Sequence, residues 1–171
     1  MTYYDDDWFT HIGLLVQNET GGWYHFYWGS DNLLWGSASL LSFTVKVKAY
    51  LDFCDFDVTN NKTKTLDLVN QSGVYGHDYE DMIYLEGDFE ESYLYLESIV
   101  TNSHGKKHYN IYDNNCSQVS LYALSVSDTI YSKKLEDTSN VFMPKESFKQ
   151  LKRLERKGGI FIPRAPISII K

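Results

Sequence analysis

Residues 11–28 read His11-Ile12-Gly13-Leu14-Leu15-Val16-Gln17-Asn18-Glu19-Thr20-Gly21-Gly22-Trp23-Tyr24-His25-Phe26-Tyr27-Trp28. Both ends of this stretch are apolar and aromatic, which is typical of strands, and the residues 18–22 between them are turn formers. We therefore expect a β-hairpin with strands over 11–17 and 23–28. Each strand carries one histidine, His11 or His25. The two imidazoles share a face of the sheet only if odd residues pair with odd residues, and the residues leave both registers open.

Further alternation of apolar and polar side chains follows the hairpin. Residues 43–48 and 50–56 show it clearly, and we expect two more strands there as candidates for pairing with each other. Short apolar runs at 160–162 and 167–170 indicate two terminal strands.

Helical spacing begins only in the second half of the chain. It predicts one helix over 88–102, a second over about 115–127 and a third that begins at Pro144 and ends before Gly158. Strands followed by helices and then by short strands indicate the α+β class, with an antiparallel sheet packed against helices.

Length and composition fit a single domain over residues 1–171. The chain is 43% hydrophobic and 23% charged, and we find no apolar run near the ~20 residues of a transmembrane helix. The start, Met1-Thr2-Tyr3-Tyr4-Asp5-Asp6-Asp7, is acidic and unlike a secretory leader, and we expect it to be a frayed end. A cytoplasmic protein is therefore the default expectation, with export without a cleaved leader as the alternative.

The charge is uneven along the chain. Its net value of −7 argues against nucleic acid as a partner. Residues 1–144 hold 8 basic and 21 acidic side chains, whereas residues 145–171 hold 8 and 2. We expect the basic tail to pack against the acidic body or to neutralise it, and a contact with a membrane surface or a polymer is the alternative.

Two cysteines, Cys54 and Cys116, are too few for a disulfide framework, and their spacing matches no zinc motif. No metal or cofactor is expected. A bridge between the two thiols stays open as the minor interpretation. We expect Cys54, on a strand, to be structural.

Cys116 lies in Tyr112-Asp113-Asn114-Asn115-Cys116-Ser117-Gln118, where Asn114 or Asn115 is a good N-cap. A thiol at a helix N-terminus is biased toward thiolate, because the free N–H groups there favour negative charge. A cysteine nucleophile needs a base and a group that orients the base. We therefore predict Cys116 as nucleophile, His11 as base and His25 as the orienting group, with the backbone N–H groups of Cys116 and Ser117 as the oxyanion hole.

The remaining histidines lie in polar segments. We expect His77, His104 and His108 to be solvated, with His108 as the reserve base because it precedes the cysteine closely.

The order of these residues resembles a known superfamily. A histidine opening a strand, a second histidine on the next strand and a distant Asn115-Cys116 at a helix start are similar to the circularly permuted NlpC-type papain-like proteins. The lecithin:retinol acyltransferase-like branch has this order. The resemblance implies a papain-like α+β fold and acyl-transfer chemistry, with Cys116, His11 and His25 in the three roles. The run Ser117-Gln118-Val119 differs from that branch's signature, so the substrate stays open.

Three functions remain in view. The first is a papain-like cysteine hydrolase, a thiol peptidase or amidase, that cleaves an amide bond, for example in a bacterial cell-wall peptide. The second is an acyltransferase or thioesterase that uses the same residues on a lipid or thioester. The third is a non-catalytic binding or immunity-type module whose aromatic strands recognise a partner.

Overall fold

The computed structural model describes residues 2–6, 9–30, 45–71, 79–106, 108–110 and 114–163. Its strands are β1 (Thr2–Asp6), β2 (Phe9–Gln17), β3 (Trp23–Ser30), β4 (Val45–Cys54), β5 (Asp81–Tyr84), β6 (His108–Tyr109) and β7 (Ile160–Pro163). Its helices are α1 (Thr65–Gln71), α2 (Glu90–Ser103), α3 (Cys116–Ser125), α4 (Ser132–Ser139) and α5 (Pro144–Leu151). The strands form one antiparallel sheet with the order β6-β4-β3-β2-β1-β5-β7. The α+β class with an antiparallel sheet is confirmed.

The hairpin is confirmed and its register is now known. Leu15 pairs with His25 and Gln17 pairs with Trp23, so odd residues of β2 pair with odd residues of β3. Because side chains alternate between the faces of a strand, His11 and His25 project from the same face of the sheet.

The expectation of two separate strands over 43–48 and 50–56 is wrong. One continuous strand, β4, runs through both segments and pairs with β3 on one side and β6 on the other. The run Lys48-Ala49-Tyr50 contains no turn former, so nothing interrupts the alternation. The prediction at 160–162 is confirmed by β7, whereas residues 43–44 and 167–170 lie outside the described part of the chain.

The three predicted helices are confirmed with shifts of one or two residues at most ends. The third helix tightens into a 3-10 turn over Lys152–Lys157. It ends at Gly158, whose φ of 95° is a left-handed conformation that other residues adopt only with strain.

Five elements escaped the sequence patterns, namely β1, β5, β6, α1 and α4. The acidic start of the chain is not a frayed end, because Thr2–Asp6 forms β1 between β2 and β5. Its partners explain this, since it pairs over its whole length with residues 9–13. Its pairing with β5 on the other side depends on a distant part of the chain, and neither pairing is visible in the local composition.

Apolar side chains cover both faces of the sheet. One face, with Ile12, Leu14 and Val16 of β2, packs against α2, α3, α4 and α5 in a first core. The other face, with Leu15 of β2, forms a second core. That second core contains Trp23, Val58, Leu66, Val69, Tyr79, Met82, Tyr84 and Ile162.

Candidate active site

The loop that leads into α3 is held by the side chain of Asn115, the N-cap that the sequence predicts. Its Oδ1 accepts hydrogen bonds from the amides of Ser117 (3.0 Å) and Gln118 (3.1 Å), and Gln118 completes a capping box. Its Nδ2 donates to the Phe142 carbonyl at 2.6 Å. The indole of Trp28 on β3 donates to the Asn114 carbonyl at 3.0 Å. These bonds fix the first turn of α3 against the sheet.

Cys116 is the first residue of α3 and is only 1% exposed. Burial raises the pKa of its thiol from 9.0 to about 11. The amides of Ile12 and Ser117 and the hydroxyl of Tyr109 act against burial, because their hydrogen bonds to the sulfur lower the pKa. The expected bias toward thiolate is therefore wrong for this closed state, since desolvation outweighs the helix terminus.

The hydrogen bond from Ile12 locates the sulfur relative to the predicted base. Ile12 follows His11 directly on β2, so the thiol lies against the backbone of the strand that carries His11. The body of α3 packs on the first core, whereas His11 projects from the opposite face. The thiol therefore lies against the strand backbone at Ile12, while the His11 side chain projects from the other face and His25, opposite Leu15, lies farther along the hairpin.

His25 is 4% exposed, and its neutral form is strongly favoured. Burial, with a smaller contribution from the nearby His11, lowers its pKa from 6.5 to about 3. The rings of both histidines lie near Tyr79, with centroids 6.3 Å away for His11 and 5.8 Å for His25. The two imidazoles therefore interact electrostatically, although His25 lies opposite Leu15, four residues along β2 from His11.

Two tyrosines join this site that the sequence patterns did not single out. The ring of Tyr27 lies 4.9 Å from the ring of His11, and burial followed by the nearby Cys116 raises the Tyr27 pKa to about 12. Burial and Cys116 also raise the pKa of Tyr109, which hydrogen-bonds to the sulfur. Tyr27 therefore lies near both His11, the predicted base, and the thiol of Cys116. The only sequence signal for it is its place two residues after His25 on the same strand face.

One of the two predicted oxyanion donors is already used. The Ser117 amide donates to Asn115 Oδ1 as part of the cap and also lies close enough to the sulfur to lower its pKa, so an oxyanion would have to compete with both. The Cys116 amide, the other predicted donor, precedes it at the helix start.

Of the other reactive side chains, Cys54 lies near the backbone of His25, which acts against burial to lower the pKa of its thiol. Cys54 ends β4 as a half-buried free thiol whose pKa burial raises to about 11, and Cys116 is free as well. His104 is exposed, as expected, and its Nδ1 lies 3.1 Å from the Ala49 amide. His77 and the His108 side chain lie outside the described part of the structure.

The described residues hold no group of three or more His, Cys, Asp or Glu side chains placed to bind a metal ion. None of the described helices combines the length and apolar character needed to cross a membrane.

Comparison with models of known protein families, with curated proteins and with solved structures finds no match for this chain.

Proposed function

We propose that the protein is a cysteine hydrolase of papain-like type that cleaves an amide bond, with Cys116 as nucleophile, His11 as base and His25 as the group that orients His11. The observation that carries this proposal is the position of the Cys116 sulfur at the start of α3. The Ile12 amide, which follows His11 on β2, lies close enough to the sulfur to act on the pKa of the thiol. A peptide, such as a stem peptide of the bacterial cell wall, is the expected class of substrate.

The chemistry needs no cofactor. The thiol proton passes to His11, the sulfur attacks the carbonyl carbon, and the C–N bond breaks as His11 returns the proton to the leaving amine. Water, deprotonated by His11, then hydrolyses the thioester to a carboxylic acid and the free thiol. A neutral His25 supports this cycle, because a second positive charge beside His11 would oppose its protonation.

Catalysis requires a more open state than the one described. With 1% exposure and a raised pKa, Cys116 is a neutral thiol closed off from substrate. Opening to water would remove the desolvation that raises the pKa and leave the Ile12, Ser117 and Tyr109 hydrogen bonds that lower it.

The same burial favours a second candidate, a non-catalytic binding module in which Cys116 only fills space. A buried thiol commonly behaves as a small apolar side chain. The two candidates differ in what His11 does to the sulfur, and this difference can be measured.

Alkylation by iodoacetamide tests the proposal, with mass spectrometry to quantify each cysteine. Near neutral pH we expect Cys116 to react several-fold faster than Cys54 in the folded protein, and His11→Gln to slow the Cys116 reaction. The matched control His104→Gln, at an exposed histidine, should leave the rate unchanged. Equal and slow labelling of both cysteines, unaffected by His11→Gln, would favour the binding module.

Hydrolysis itself is followed on a mixture of cell-wall muropeptides, by mass spectrometry of newly released amines. Cys116→Ala should abolish release, while Cys54→Ala should retain it. Selective labelling without any hydrolysis would retain the activated thiol and exclude this substrate class.

A further inference from the structure

Basic side chains concentrate in one segment of the chain that the proposed hydrolase mechanism does not use. Residues 145–157, in α5 and the 3-10 turn that follows it, contain six Lys or Arg and two Glu, whereas the whole chain has a net charge of −7. The segment packs on the first core through Phe148, Leu151 and Leu154. Its basic side chains therefore lie on the outward sides of the segment.

Two of the six cations already have carboxylate partners. Lys149 Nζ lies 2.7 Å from Glu146 Oε1, and Lys152 Nζ lies 3.3 Å from Asp81 Oδ2 on β5. Both ion pairs reduce the charge that these lysines present to a partner.

The last three cations of the segment, Arg153, Arg156 and Lys157, are all exposed. In the part of the chain that the structure describes, none of the three forms an ion pair with a carboxylate. Arg153 and Arg156 lie three residues apart in the 3-10 turn, so they project from the same side, and Lys157 follows directly. Glu155, between the two arginines in sequence, projects from a different side. The three cations therefore form one patch, which we call the cationic patch.

Two large aliphatic side chains are exposed beside the cationic patch. Lys157 Nζ lies 3.5 Å from the carbonyl oxygen of Ile130, on the loop between α3 and α4, and the side chain of Ile130 is 68% exposed. Ile160, three residues after Lys157, is 45% exposed. Because three residues span at most about 11 Å, Ile160 also lies near the patch. Single exposed aliphatic side chains are ordinary, whereas two beside three such cations indicate a contact surface.

This surface lies at the other end of α3 from the proposed active site. Cys116 is the first residue of α3, whereas Ile130 follows the C-terminal end of the helix, about 14 Å away along its axis. A partner bound at the cationic patch therefore need not cover Cys116.

We propose that the cationic patch, together with Ile130 and Ile160, binds the surface of an anionic phospholipid bilayer. The cations contact lipid phosphates, and the two isoleucine side chains enter the boundary between the headgroups and the acyl chains. The aliphatic side chains favour a bilayer over a soluble polyanion, because a polyanion presents negative charge but no apolar phase. The acidic remainder of the chain is repelled by the same lipids and turns this surface toward the bilayer. Asp128 and Glu155 are also exposed and oppose part of the attraction, so the binding is weak and reversible.

Sedimentation of the full chain with lipid vesicles tests this surface. Vesicles of phosphatidylcholine that contain about 40% phosphatidylglycerol are compared with vesicles of pure phosphatidylcholine, at about 0.1 M NaCl. We expect binding to the anionic vesicles to be at least about tenfold stronger, and to be lost at about 0.5 M NaCl. Equal binding to both kinds of vesicle, or no binding to anionic vesicles at millimolar lipid, would overturn the proposal.

A pair of triple variants locates the binding. Arg153→Gln/Arg156→Gln/Lys157→Gln should weaken binding to anionic vesicles at least about tenfold, because each cation near the lipid contributes to the attraction. The matched control removes the same number of exposed positive charges elsewhere on the described surface, with Lys46→Gln, Lys64→Gln and Lys106→Gln. It should retain the affinity within about twofold. Equal weakening by both variants would reveal a general effect of net charge and contradict the assignment to the cationic patch.

The double variant Ile130→Ser/Ile160→Ser distinguishes a bilayer from a soluble polyanion. It should weaken vesicle binding at least about fivefold and leave any binding to heparin unchanged, because only the bilayer takes up apolar side chains. Ile130→Ser alone, in a loop, gives the same comparison with a smaller effect should Ile160→Ser disturb β7. Vesicle binding that depends on the three cations but not on either isoleucine would identify a polyanion as the partner and overturn the proposal.

Discussion

The two ends of β2 carry similar side chains, but one end is tightly packed and the other borders a cavity. At the His11 end, β1 completes the ladder, α3 abuts the strand, and Cys116 is closed off. At the Val16 end the described β1 has stopped, and a cavity with acidic walls separates β2 from β5. The first end holds His11 and Cys116 in tightly packed surroundings, and the second borders the cavity, with His25 and Cys54 on the neighbouring strands.

The prediction with the largest expected effect concerns core packing at the two ends of β2. Ile12→Ala should destabilise the protein by about 4 kcal/mol, because a side chain with no exposure leaves a new void in a tight core. Leu15→Ala removes the same number of carbons but borders the existing cavity, and should cost only about 2 kcal/mol. Urea denaturation measures both. Equal losses would mean that the Val16 end is as tightly packed as the His11 end.

The next effect concerns His25, a buried neutral histidine that lies opposite Leu15. His25 has its pKa lowered from 6.5 to about 3, so the unfolded chain takes up a proton below pH 6.5 that the folded chain refuses. Stability from this group is complete above pH 6.5 and is lost as pH falls. The free energy of unfolding should drop by about 2 kcal/mol between pH 6.5 and 5.

Denaturant titrations at several pH values measure this drop. His25→Gln should flatten the curve in that interval, whereas His104→Gln, at an exposed histidine, should retain the wild-type slope. A His25→Gln curve as steep as that of the wild type would mean that the acid sensitivity arises elsewhere.

The difference between local and long-range determinants explains which features the sequence could predict. Asn115 as N-cap follows from residues within one turn, and the hairpin follows from two adjacent runs and a turn. The pairing of Leu15 with His25 depends on the five-residue loop adopting one geometry among several. The approach of Tyr27 and Tyr109 to Cys116 needs elements far apart in the chain. The net pKa of Cys116 could not be inferred from the helix terminus, because burial is a property of the whole fold.

The next prediction, with a smaller expected effect, compares two asparagines, Asn115 near the His11 end of β2 and Asn18 near its Val16 end. Asn115→Ala should cost about 1.5 kcal/mol, because it removes the helix cap and the bond to the Phe142 carbonyl. Asn18, in the loop beside the cavity, accepts from the Gly22 amide at 2.8 Å and the Thr20 hydroxyl at 2.9 Å. Because these bonds are at least partly exposed, Asn18→Ala should cost only about 0.5 kcal/mol. Thermal and urea unfolding measure both, and a reversed order would contradict a more rigid His11 end.

The prediction with the smallest expected effect concerns electrostatic repulsion among the carboxylates that line the cavity. Glu86 shares the lining with three other carboxylates, so Glu86→Gln should stabilise the protein by about 0.5 kcal/mol at low salt. In 1 M NaCl the Debye length shortens to about 3 Å and the gain should vanish. Glu91→Gln should instead be neutral or slightly destabilising, because Glu91 lies in the first turn of α2, where negative charge is favourable. A salt-independent gain at Glu86 would show that repulsion across the cavity is absent.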